Sequence, residues 1–177
     1  MDPNCRPRQP IVFTITPLAE CHFEGLRATL DVVAREKQYL ALTQAPPPDE
    51  AYAFYRNILL NNLVALVVIV EGRVVGWCDV LRQFSDARQH VGVLGIGLLP
   101  TVRHKGIGLP LIQSAIRSSW ERDLERIELT VRCDNRNACE LYKRVGFEVE
   151  GQHHQAFCVD GAYHDLYSMA LLRHGRV

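Results

Sequence analysis

Apolar positions change period several times along the chain. Ile11-Val12-Phe13-Thr14-Ile15 is rich in β-branched and aromatic residues and predicts a first strand. Thr16-Pro17 reads as a helix start, because proline suits the first helical position. From Leu18 to about Lys37, the residues Phe23, Leu26, Leu30 and Val33 recur at helical spacing. Ala45-Pro46-Pro47-Pro48 breaks the chain. Asp49 is placed to cap a second helix through about Asn61, with Ala51, Phe54, Tyr55, Ile58 and Leu59 on one side. Leu63–Val70 and Arg73–Leu81 predict a hairpin about Glu71-Gly72. After the polar stretch Gln83–Gln89, a strand over His90–Leu99 carries three glycines, Gly92, Gly95 and Gly97. Gly95 and Gly97 suggest a bulged strand that something approaches closely. A turn through Gly108 leads to a helix from Leu109 to about Asp123. A strand follows at Arg126–Val131, then a helix at Asn135–Val145 stopped by Gly146. Two strands about Asp160-Gly161 end the pattern, the last at Tyr163–Leu172. The order is strand, two helices, three strands, helix, strand, helix, two strands: one mixed α/β sheet.

Length and charge narrow the function classes. The chain has 177 residues, enough for one domain with a substantial core. We expect a disordered lead over residues 1–9 and a single domain over residues 10–173. Lysine plus arginine equals aspartate plus glutamate, 20 of each. That balance argues against a nucleic-acid partner, which needs a basic excess. The N-terminus lacks the apolar stretch of a signal peptide, and Leu63–Val70 is far too short to cross a membrane. The six cysteines form no C-x-x-C pair and no zinc-ligand spacing with histidine, so we expect free thiols, no metal and a cytoplasmic setting.

Chemistry concentrates in Leu98-Leu99-Pro100-Thr101-Val102-Arg103-His104-Lys105-Gly106-Ile107-Gly108. A strand that runs through a glycine turn into a helix leaves the first helical N–H groups unpaired at the positive end of the helix dipole. Arg103 and Lys105 add positive charge, and the whole suits a phosphate. A P-loop would need Gly-Lys-Ser/Thr, yet Lys105 precedes Gly106 and Leu109 follows Gly108. A dinucleotide fingerprint would need a third glycine where Leu111 stands. Arg103-x-x-Gly106-x-Gly108 remains, weak by itself. The second segment is Asn135-Arg136-Asn137-Ala138-Cys139-Glu140-Leu141-Tyr142-Lys143-Arg144-Val145-Gly146-Phe147.

The two segments together resemble the GNAT superfamily of acetyl-CoA-dependent N-acetyltransferases, from about residue 10 to residue 172. The tail from Gly146 through Asp160-Gly161, Asp165 and Met169 looks like its bacterial amino-acid N-acyltransferase and phosphinothricin acetyltransferase branch. The resemblance implies a central, mostly antiparallel, twisted sheet of about seven strands, splayed between the fourth and fifth, with helices on both faces. It implies acetyl-CoA as acyl donor, held by the backbone of Ile96, Gly97 and Leu98 at the pantetheine arm. The diphosphate would lie at Arg103, His104, Lys105, Gly106, Ile107 and Gly108. Asn135 would contact the arm or hold the splay open. Tyr142 would protonate the leaving thiolate, and an N–H near Leu98 would hold the oxyanion. Relatives often form homodimers, and exposure of the last hairpin would allow one.

The general base is not inherited. Many relatives carry an acid on the splayed strand where this chain has Val93. Glu128, His90, His153 and His154 are the candidates, directly or through water. A site without a strong base favours α-amines, which are partly neutral near pH 7.5. The expected acceptor is therefore the α-amine of an amino acid or related small molecule. Alternatives are a protein N-terminus, a polyamine or aminoglycoside, or a module that binds acyl-CoA without catalysis.

Overall fold

A computed structural model describes residues 11–173; the expected lead over residues 1–9 lies outside them. The strands are β1 (Thr14–Pro17), β2 (Val64–Val70), β3 (Arg73–Arg82), β4 (Val91–Leu98), β5 (Arg126–Arg132), β6 (Glu148–Val159) and β7 (Ala162–Leu172). The helices are α1 (Phe23–Arg35), α2 (Pro48–Leu60), α3 (Gly108–Trp120) and α4 (Arg136–Arg144). One sheet takes the order β1-β2-β3-β4-β5-β7-β6, antiparallel throughout except between β4 and β5. Alternation along each strand sends successive residues to opposite faces. Val67 and Trp77 pack with Phe23, Leu26, Val33 and Ile58 under α1 and α2. Val68, Cys78 and Val80 pack with Leu111, Ile112, Ala115 and Tyr142 under α3 and α4.

Three local expectations are corrected. Thr16-Pro17 does not start a helix: Pro17 is still in β1, paired with Leu66, and α1 begins at Phe23 after a short 3-10 turn at Glu20–His22. β1 is an edge strand, where proline's missing N–H costs little. Asp49 does not cap α2. Pro48 is the first helical residue, Pro47 precedes it, and Asp49 lies in the first turn, where its charge suits the helix dipole. The glycine-bearing strand is not bulged either: β3 and β4 pair without a register shift from Gly76↔Leu98 to Arg82↔Gly92. Its glycines make room for side chains of β3. A Cβ at Gly97 would stand 2.2 Å from the Trp77 ring, and one at Gly95 would stand 3.0 Å from Asp79 Oδ1.

Candidate active site

The site forms where β4 leaves β5. The two strands pair only over Val91–Val93 and Arg126–Glu128. Beyond that, β5 pairs β7 alone, through Arg132↔Leu166, and Leu94–Leu98 is parted from it. Leu99 N–H donates to the Val75 carbonyl at 2.8 Å, and Gln83 N–H to the Val91 carbonyl at 2.9 Å. Only alternate residues of an antiparallel pair turn their backbone groups to a given neighbour. Gly95 and Gly97 therefore face β3, whereas Leu94, Ile96 and Leu98 face the gap. Of the three residues expected at the arm, Gly97 turns its backbone to β3, and Ile96 and Leu98 turn theirs to the gap. The Leu98 carbonyl already accepts from Arg103 Nε at 2.9 Å, so Leu98 offers its N–H.

The turn at the mouth of the gap has the shape of an anion cradle. A 3-10 turn covers Pro100–Val102, and His104 and Gly106 take positive φ of 59° and 81°. Helix α3 has no side-chain cap and no acid in its first turn. Its first closed bond is Leu111 N–H to the Ile107 carbonyl at 3.2 Å. The N–H groups of Gly108 and Leu109 thus lie ahead of the ladder, and Pro110 has none to lose. A Cβ at Gly106 meets nothing within 4 Å, so this turn borders open space. His104 and Lys105 are exposed beside it.

Arg103 has another occupation. Its guanidinium forms a fork with Glu36 just beyond α1, at 2.7 and 2.6 Å, and lies 4.9 Å from the ring centre of Tyr39. Both charged partners are about four-fifths buried. Arg103 ties the end of α1 to the cradle, and Lys105 is the cation left facing outward. Hydrogen bonds between charged groups contribute about 1.5–3 kcal/mol each before desolvation is subtracted. We expect Glu36→Ala and Arg103→Ala each to lower stability by about 1–3 kcal/mol, with the double variant little worse than either. Chemical denaturation checks this, and full additivity would show that the fork is not a unit.

Helix α4 places Tyr142. Asn135 is its N-cap and accepts from Ala138 N–H at 3.3 Å, so this residue organises the helix that borders the splay. Tyr142 and Cys139 are the buried residues of α4. Tyr142 meets Phe147 edge-on with centroids 5.9 Å apart. Burial, with Cys78 and Cys139 nearby, raises the phenol well above its ordinary pKa, so it stays protonated across the physiological range. Burial also pushes the thiols of Cys78 and Cys139 up, which leaves neither as a thiolate nucleophile.

The expected bases are not brought to the gap as free groups. Glu128 accepts from Arg126 Nε at 2.7 Å on one oxygen and from Arg88 at 2.5 Å on the other. Both of its oxygens are thus engaged by guanidinium groups. His154 pairs with Asp165 at 2.9 Å on the outer hairpin, and His153 is exposed on edge strand β6. His90 is exposed at the head of β4. None of these four lines the cavity under α1 and α2.

The carboxylates that line it are the exposed Glu50 on α2 and, on β3, Asp79. Asp79 stands across the ladder from Gly95, and its neighbour pair on the same face is Leu81↔Val93. Asp79 thus stands a strand over and a rung along from Val93, on the same face of the sheet. Asp79 is half-buried, and burial pushes its carboxyl up to about 7, although hydrogen bonds from Gly95 and the Trp77 side chain pull the other way. The cavity holds about 530 Å³, a volume suited to a small molecule, between α1, α2 and strands β2–β4. Pro46 lines it, as does Tyr55, whose buried hydroxyl finds no hydrogen-bond partner among the described residues. The sequence did hold a signal: Asp79 is the one acid within Val74–Leu81.

Residues 31–147 match the family model for the acetyltransferase (GNAT) family, about two-thirds of the chain. The chain belongs to that family. It is an acetyl-CoA-dependent N-acetyltransferase. It is 31% identical over 153 residues to the L-amino acid N-acetyltransferase AaaT of Escherichia coli, covering 85% of this chain and 92% of that one. Its fold superposes with a TM-score of 0.86 on a GNAT acetyltransferase of Streptococcus pneumoniae, at 24% identity over 92% of this chain and all of that one. A phosphinothricin acetyltransferase of Sinorhizobium meliloti in complex with acetyl-CoA gives 0.80 at 19% identity, over 90% and 88% of the two chains. This acetyltransferase thus has the splayed seven-strand sheet implied by its two signature segments.

Proposed function

We propose that this acetyltransferase passes the acetyl group of acetyl-CoA directly to the α-amine of an amino acid or related small molecule, within a ternary complex. The observation that carries the reading is the arrangement about one gap. The cradle and Tyr142 lie on the α3/α4 side, and Asp79 with its cavity lies on the α1/α2 side. The diphosphate rests on the amides of Gly106–Leu109 beside Lys105, and the pantetheine arm pairs with Ile96. The amine nitrogen attacks the thioester carbonyl, whose developing negative charge is met by Leu98 N–H. The C–N bond forms and the C–S bond breaks. Asp79 takes the proton lost by the amine, and Tyr142 gives its own to the departing sulfur. Solvent returns the proton to Tyr142 and removes it from Asp79, so the net products are an N-acetyl amide and CoA thiol. The name of the Escherichia coli relative supports an amino-acid-like acceptor.

Tyr142→Phe tests the acid. It keeps the ring and its contact with Phe147, and is expected to lower kcat by about 10²-fold with little change in acetyl-CoA affinity. Thiol release from acetyl-CoA and calorimetric binding separate the two quantities. An unchanged kcat would remove Tyr142 from the chemistry. Tight acetyl-CoA binding without thiol release for amino acids, amines or peptides would favour a binding module instead.

A further inference from the structure

The wall of the α1/α2 cavity is chemically one-sided. Its apolar body includes Leu26, Leu30, Phe54, Ile58 and Trp77, and its charged members are Asp79 within and Glu50 toward the exposed end. Among the described residues, no lysine, arginine or histidine lines it. Arg27 on α1 stands outside the wall, with its Nε on the Pro46 carbonyl at 2.8 Å. An ammonium group beside Asp79 meets a carboxylate in a partly buried site, where charges interact more strongly than in water. The carboxylate of a free amino acid, two bonds from that nitrogen, would meet the same negative wall with no lining cation to pair it. A neutral amide or a bare alkyl group would meet apolar surface and the unpartnered Tyr55 hydroxyl.

We infer that the acceptor is a small primary amine on an apolar body, with its α-carboxylate absent or masked as a neutral amide, and that Asp79 seats the amine. This rests on the acetyl-transfer reading and narrows the acceptor within it. The selecting feature is that the described wall residues carry carboxylates and no cation.

Phenylalaninamide and phenylalanine make the test, since they share side chain and amine and differ in the carboxyl group. Thiol release by the 177-residue chain is measured with each, and kcat/KM is expressed per deprotonated amine because the amide lowers the amine pKa. Calorimetry measures the binding of each to the protein loaded with CoA. The amide is expected to exceed the acid by about tenfold or more in kcat/KM, and Phe54→Arg, which adds a cation to the half-exposed part of the wall, is expected to narrow that ratio. Equal values, or a preference for the acid, would overturn the inference while acetyl transfer stood. Without thiol release from either compound, tighter binding of the amide would support the pocket assignment and count against the acetyl-transfer reading. Without release and without a difference in binding, the inference falls.

Discussion

Asp79→Asn is expected to lower kcat/KM by about 10²–10³-fold, within the range of a positioned general base. It is also expected to remove the part of the activity rise that wild type shows toward pH 7. Below that pH a protonated Asp79 can neither pair with an ammonium nor accept its proton, and the carboxyl is pushed up to about 7 by burial. The groups that share its cavity are Trp77 and Cys78 on β3 and Glu50 and Tyr55 on α2, and Arg27 on α1 acts on Tyr55 from outside the wall. The amine's own ionisation contributes a second limb that both proteins share, so the difference between their profiles isolates Asp79. A variant that keeps wild-type kcat/KM and profile shape would overturn the assignment.

The same substitution should stabilise the fold above neutral pH. Asp79 has a folded-state pKa near 7 against an ordinary value of 3.8. Between those values the folded chain holds a proton that the unfolded chain has lost, so wild-type stability falls as pH rises from about 4 to about 7. Asparagine carries no such penalty. Its stabilising effect should be absent near pH 4, grow through pH 7 and then level off. Thermal unfolding at pH 4.5 and pH 8 reads this directly. Lower activity with higher stability would mark a group held against its preferred state for function.

Gly106→Glu is expected to weaken acetyl-CoA binding by about 10²-fold or more, because it sets a negative charge where the cradle holds an anion. Two effects must be parted. Gly106 has φ of +81°, where any side chain is strained by about 1–3 kcal/mol, and its Cβ position opens on free space, so strain without clash is expected. Gly161 has the same φ of +81° and the same open surroundings in the β6–β7 turn. Gly161→Glu is therefore a matched control: similar loss of stability, unchanged acetyl-CoA affinity. Equal affinity in both variants would show that the Gly106 turn holds no phosphate.

The two signature segments were legible because their chemistry is local. The Gly106 turn runs directly into α3, and the cap, the buried phenol and the terminating glycine of α4 fall within Asn135–Gly146. Fold class followed from the same cause, since period and turn residues alternate clearly from Val64 to Leu172. Arg103 and Glu128 were legible as charged residues but not by occupation. Their partners Glu36 and Arg88 lie 67 and 40 residues away in sequence. The glycines of β4 looked like marks of a bulge, yet they accommodate Trp77 and Asp79, and only the register of β3 against β4 reveals that.

By itself the sequence determined the fold class, most of the elements and the family, because short-range spacing builds a turn, a helix and a cap. The tertiary structure decided how the charged groups are occupied. Which carboxylate lines the cavity, which is paired with arginine, and which charges stand along the described wall depend on strand register and on helices packed from distant segments. A residue's charge is written in the sequence, but burial and long-range partners set whether that charge can take a proton.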